Sequence, residues 1–228
     1  MKKNIPIAYI IIGITVIFFL FQNLSQFIFG YDALFAFFGK INQLIIRGQF
    51  WRLITPILLH GSFLHIGFNM YALFIIGPML EKKYGIWPFI GLYLIGGLWG
   101  NTLSFLLSPN PSLGASTAIF GLIAAQGVYV YKNRHLLGPS ARPMLMNIVM
   151  VIVVNLMLGL SPGIDNWGHM GGMLGGLFFA WFAGPNFGLS EDLFGQNVVV
   201  RQKSQPALIL IIAIMIAVLA VTLRLVIG

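Results

Sequence analysis

The sequence predicts an all-α polytopic membrane protein, and three observations carry that prediction. Of 228 residues, 58% are hydrophobic and only 8% are charged. A soluble domain carries roughly a quarter of its residues as charges, so most of this surface is built to face lipid. The apolar residues also gather into seven runs, approximately 5–22, 57–79, 86–107, 114–131, 143–160, 167–184 and 206–226. Each is near the roughly 17–25 residues that a tilted helix needs to cross a bilayer. Finally, the basic residues fall in short stretches between these runs, as topology signals do. Nucleic acid as a partner is excluded on the same ground, because the net charge of +8 forms no clustered basic face interleaved with aromatics.

The first run follows two lysines, as in a signal peptide. It is long for that role and is followed by "QNLSQF" without a small-residue cleavage site, so it reads as a retained first span. Residues 23–56 are too polar to span and too apolar for a free linker. The stretch "FAFFGKINQLIIRGQFW" suits a structure lying in the membrane interface, anchored by Trp51 and Arg52. The expected organisation is a six-helix core over 1–184 that includes this interfacial loop, then a cytoplasmic linker and a seventh transmembrane helix over 185–228. With the N-terminus in the cytoplasm, the inner side receives Lys2, Lys3, Lys82, Lys83, Lys132, Arg134, Arg142, Arg201 and Lys203, against Lys40, Arg47, Arg52 and Arg224 outside. That bias sets the orientation and places the C-terminus outside. Spans two, four and six then share one direction and enter from the outer face.

Polar side chains at membrane depth are costly and usually functional. Span two opens with His60, His65 and Asn69, span four with Ser116 and span six with His169. All lie toward the outer end of their helices. His65 and Asn69, four apart, share a helical face. On span six, Gly168, Gly172 and Gly176 repeat every four residues, as do Gly171 and Gly175, a spacing that lets helix backbones approach closely in lipid. Span four offers a narrow stripe at Ala118, Gly121 and Ala125. Packing along these stripes brings Ser116 near His169. A serine hydroxyl needs a base to take its proton, and neutral histidine suits that task near pH 7. The oxyanion formed on attack needs donors, and the Ser116 N–H, the Asn69 amide and the His65 ring are candidates. Asp165 is the nearest carboxylate but belongs to the outer loop, so a Ser–His dyad is expected. His60 reads as structural. Absent cysteine removes a thiol nucleophile and thiolate metal sites.

In this order on spans two, four and six, "HGSFLHIGFN", "GASTAIFG" and "GHMGGMLGG" resemble the rhomboid intramembrane serine proteases, as do "FWR" at 50–52 and "EKKYG" at 81–85. The resemblance covers roughly residues 45–180. It implies a six-helix rhomboid core plus one extra C-terminal transmembrane helix. Ser116 is implied as nucleophile and His169 as base, with His65, Asn69 and the Ser116 N–H around the oxyanion. Phe120 is implied to pack on the His169 ring, Trp51 and Arg52 to fix the first loop against the core, and Glu81 to be a structural hydrogen-bonding group. Gly114 and Gly172 are supporting positions of the same motifs. The implied substrates are transmembrane segments of other proteins, cut near their outer ends within the lipid bilayer, with no cofactor and no metal. A bacterial cytoplasmic membrane is the expected location; the oligomeric state is not read from the sequence.

Thr117 departs from the usual glycine after the serine, adding a β-branched residue and a methyl near the substrate path. The loop "LSPGIDN" at 160–166 is a candidate flap that moves with span five to admit substrate. Two other classes compete. A channel or transporter would string polar groups across the bilayer, whereas spans four and six become apolar below their first turns. A non-catalytic rhomboid-like protein would bind membrane clients without cutting them. A zinc protease would want H-E-x-x-H, and no glutamate lies between His60 and His65.

Overall fold

The computed structural model describes residues 5–161, 163–191, 197–202 and 204–227. Lys2, Lys3 and Lys203 of the orientation count, and Pro162 of the 160–166 loop, lie outside the described residues. The chain forms a predominantly helical membrane fold. Helix α1 (Ile7–Phe29) starts after Pro6 and stops at Gly30, whose φ of 76° closes the last turn. Two short helices follow, α2 (Ala33–Phe38) and α3 (Asn42–Ile46), then two 3₁₀ turns at Phe50–Leu53 and Thr55–Leu58. The rest comprises α4 (Phe63–Tyr84), α5 (Ile86–Leu107), α6 (Ser116–Lys132), α7 (Arg134–Leu137), α8 (Ala141–Leu158), α9 (Asn166–Ala183) and α10 (Pro206–Ile227). Between α9 and α10, β1 (Phe187–Glu191) pairs antiparallel with β2 (Asn197–Arg201).

Three boundaries differ from the expected runs, each for a local reason. Helix α1 continues to Phe29 because Gln22 and Ser25, polar enough to suggest an end, are buried and used on its inner face. Gln22 Nε2 donates to Asp32 at 2.6 Å and its Oε1 accepts the His60 N–H at 2.9 Å. Helix α4 starts at Phe63 rather than near 57, because the Ser62 side chain caps it by accepting the His65 N–H at 3.1 Å. The residues expected as a plain linker carry a hairpin instead, and the β-branched run Val198–Val200 lies on one of its strands.

Among the described residues, five stretches are long and apolar enough to cross a membrane: Ile7–Phe29, Phe63–Tyr84, Ile86–Leu107, Arg134–Leu158 and Pro206–Val226. Helices α6 and α9 are not among them. They carry the glycines and polar groups, and α5 packs against both. Helix α6 is buried along most of its length, whereas α9 buries its glycine face and exposes Leu174, Leu177, Trp181 and Phe182 on the other.

The centre is the contact of α9 with α5 and α6, and glycine makes it possible. Along one row, a Cβ on Gly172 would run into the Thr117 carbonyl and a Cβ on Gly176 into the Gly121 backbone. Along the second row, a Cβ on Gly171 would sit 2.5 Å from the Trp99 carbonyl oxygen, and one on Gly175 2.8 Å from the Trp99 Cβ. The α6 surface met by α9 is therefore Thr117 and Gly121, not the full Ala118–Gly121–Ala125 stripe expected. Ala118 lies instead against Gly96 of α5, since a helix wedged between two neighbours divides its small residues between them. Outside this centre, α1 lies along α4, with Tyr9 stacked on Phe74. Helix α10 packs on α5 and α9, where its Ala213 carbonyl accepts from Trp99 Nε1 at 3.0 Å. Helix α8 buries only Ala141 and Ile148.

Because backbone, not a flexible side chain, faces Gly176, Gly176→Val is expected to cost about 3 kcal/mol or more. Gly13 has nothing within 4 Å of its added Cβ, so Gly13→Ala should be neutral or stabilising by up to about 1 kcal/mol. Thermal unfolding of both variants in one detergent checks the pair.

Candidate active site

Ser116 is the first residue of α6, and the bend leading into it depends on Gly114. That glycine adopts φ 133°, and its N–H donates to the Pro56 carbonyl at 2.9 Å. A Cβ there would lie 2.8 Å from His65 Nε2, so both the backbone angle and the space require glycine. Gly114 thereby lets the His65 ring close over the turn beside Ser116.

His169 stands in the first turn of α9. Asp165 caps that helix: its Oδ1 accepts the Gly168 N–H at 2.9 Å, and its carbonyl accepts the His169 N–H at 3.0 Å. With the helices held by the Gly172 contact, His169 Nε2 lies 2.9 Å from Ser116 Oγ. The Phe120 ring, one turn along α6, stacks on the imidazole at 4.3 Å between centroids and 13° between planes, limiting its rotation. His169 Nδ1 has no hydrogen-bond partner among the described residues. A serine proton shared with Nε2 requires the other ring proton on Nδ1.

The remaining predicted residues are placed as follows. His65, partly exposed, lies beside Gly114, and Asn69 is buried one turn further along α4. His60 is not part of α4. It precedes the helix, where its Nε2 accepts the Ala115 N–H at 3.4 Å and its ring meets His65 edge-on at 4.9 Å. Thr117 is buried, its methyl beside Gly168 and its Cβ beside Gly100, inside the α5–α6–α9 contact. Glu81 accepts the Ile7 and Ala8 N–H groups at 3.0 and 3.1 Å, capping α1.

Trp51 and Arg52 tie the interfacial loop to itself rather than to the core. Trp51 Nε1 donates to the Phe37 carbonyl, and Arg52 donates to Gln49 Oε1, the Gly39 carbonyl and the Ala36 carbonyl. The open carbonyls at the end of α2 are the nearest acceptors for a guanidinium with five donors. The bonds from loop to core come from elsewhere. Asn42 Nδ2 donates to the Ser108 carbonyl at 2.9 Å, Asn101 Nδ2 to the Leu53 carbonyl at 3.2 Å, and Lys40 to the end of α5. Sequence reading missed Ser104, whose hydroxyl donates to Asp165 Oδ2. The sign was available, since Asn101, Thr102 and Ser104 form a polar cluster in an otherwise apolar run. No cluster of three metal-ligating side chains occurs among the described residues.

Thr117→Gly is expected to destabilise the protein by about 2 kcal/mol, through a lost buried methyl and a flexible residue in the first turn of α6. A melting curve beside wild type measures it.

Residues 47–186, more than half of the chain, match the family described as Rhomboid domain. The chain is 38% identical over 174 residues to Rhomboid protease GluP of Bacillus subtilis (strain 168), covering 76% of this chain and 34% of that protein. It is 38% identical over 150 residues to Rhomboid-like protease 1 of Toxoplasma gondii, covering 64% and 51%. With RHOMBOID-like protein 5 of Arabidopsis thaliana it shares 38% over 151 residues, 64% and 48%. The chain thus spans about a third to a half of the length of these relatives. It is a polytopic integral membrane protein, and it belongs to the rhomboid family.

Proposed function

We propose that the protein is an intramembrane serine endopeptidase that cuts transmembrane segments of other proteins through a Ser116–His169 dyad. The observation that carries this reading is the 2.9 Å approach of His169 Nε2 to Ser116 Oγ, made by two helices that glycine holds backbone to backbone. The protease names of the relatives from Bacillus subtilis and Toxoplasma gondii support it. Ser116 Oγ attacks the scissile carbonyl while His169 Nε2 takes the hydroxyl proton. The oxyanion receives hydrogen bonds from the Ser116 N–H, the Asn69 amide and the His65 ring. Collapse breaks the peptide C–N bond, and His169 returns the proton to the departing amine. Water then attacks the acyl-serine with His169 again as base, releasing the acid and restoring Ser116. The unpartnered Nδ1 favours a dyad over a triad.

The positive-inside bias supports an N-terminus in the cytoplasm, a C-terminus outside and a site toward the outer face; the membrane we propose is a bacterial cytoplasmic one. Residues 1–184 form the catalytic core, and 185–228 add a cytoplasmic hairpin and a seventh span. Helix α8, which buries two residues, is the wall that moves to admit substrate. The alternative is a rhomboid-like protein that binds membrane clients without cutting them.

Purified protein in liposomes with a single-span substrate, alongside a fluorophosphonate probe, separates the two readings. Wild type is expected to cleave and label. Ser116→Ala should lose both, and His169→Ala should lower cleavage by about 10³-fold or more. Asn69→Ala should reduce kcat by about 10²-fold with the fold intact. A folded wild type that neither cuts nor labels would favour client binding.

A further inference from the structure

Lys40 is a lysine with no exposed surface, an unusual place for a cation in a connecting loop. Its Nζ donates to three carbonyls at the end of α5: Ser104 at 3.2 Å, Ser108 at 2.9 Å and Asn110 at 2.9 Å. An ammonium has three N–H donors and no acceptor, so the match is complete. Through its backbone, Lys40 also exchanges two 3.0 Å hydrogen bonds with Ser112, four residues before Ser116. Ser104 then continues the connection, because its hydroxyl holds Asp165, the cap of the helix that carries His169.

We propose that Lys40 is a positioning residue for the dyad, setting Ser116 through Ser112 and His169 through Ser104 and Asp165. This rests on the function proposed above. A neutral amine has two N–H groups, so loss of the proton breaks one bond and turns a lone pair toward a carbonyl oxygen. The charged groups around Lys40 are few. Asp165 faces it across the end of α5, and the Arg52 guanidinium lies on the adjacent Gly39 carbonyl. Burial pulls the Lys40 pKa from 10.5 down to about 8, with the Asp165 carboxylate acting in the opposite direction.

The consequences for activity and stability have opposite signs. The folded pKa lies below the unfolded one, so this group's contribution to stability rises between about pH 8 and 10.5. Activity should fall as the proton leaves, through a midpoint near pH 8, if the charged form aligns the dyad. A residue that merely supported the fold would make both move together.

The experiment measures kcat and KM for the single-span substrate in liposomes from pH 6 to 10, with thermal unfolding at each pH. Wild type should lose kcat above about pH 8, with KM within twofold and no loss of melting temperature assignable to this step. Lys40→Met should lower kcat at least tenfold at pH 7 and lack that alkaline limb. Asp165→Asn, which keeps the cap but removes the charge, should move the limb to lower pH. A limb that persists in Lys40→Met, or a loss carried by KM, overturns the proposal. If Lys40→Met does not fold, a limb that Asp165→Asn leaves in place overturns it. A wild type that neither cleaves nor labels overturns the protease reading itself and this inference with it.

Discussion

The fold depends on how closely α9 approaches its two neighbours. Two rows of glycine on one helix, Gly172 and Gly176 toward α6 and Gly171 and Gly175 toward α5, leave no room for a methyl group. In lipid, apolar side chains gain nothing by leaving solvent for protein, so association relies on close packing and interhelical hydrogen bonds. The same contact sets the separation of Ser116 from His169. Stability and site geometry therefore share one origin, and the polar groups are bonded across a spacing that backbones have already determined.

Charge is handled in a consistent way. Each of the carboxylates Asp32, Glu81 and Asp165 accepts backbone N–H groups at the start of a helix: α2, α1 and α9 respectively. Four cations take the opposite ends. Lys40 binds carbonyls ending α5, Arg52 those ending α2, Lys132 the Trp181 carbonyl of α9, and Arg201 the Tyr84 carbonyl of α4. Among the described residues, these charges thus complement the free groups and dipoles of helix termini. A membrane protein short of charge gains from this, because each charge satisfies backbone that lipid cannot.

The sequence makes the helices legible where lipid demands apolar length, and makes Ser116 and His169 legible because polar residues at that depth are rare. It is less informative where the partner of a residue is distant in the chain. Nothing in "FFGKINQ" shows that Lys40 reaches Ser108, and nothing local tells that Arg52 turns back onto α2. The division of span-six glycines between two neighbours was likewise hidden, since both rows have the same spacing. Hydropathy places helix α4 five or six residues too early, because it continues through Ile57–Leu59 while the Ser62 cap begins the helix later. Hydropathy reports what a residue prefers to face, whereas caps decide where the hydrogen-bonded ladder starts.

Helix α8 buries only Ala141 and Ile148, and its remaining surface carries exposed Met146, Val149, Met150, Val153 and Met157. Its position is set by solvation as much as by protein contacts. The surrounding lipid is then a component of the tertiary structure, and acyl-chain length and order become variables of the fold in the way that temperature and denaturant are for a soluble domain. Two membranes of different thickness would hold the same chain in measurably different equilibria, with no change in a single residue.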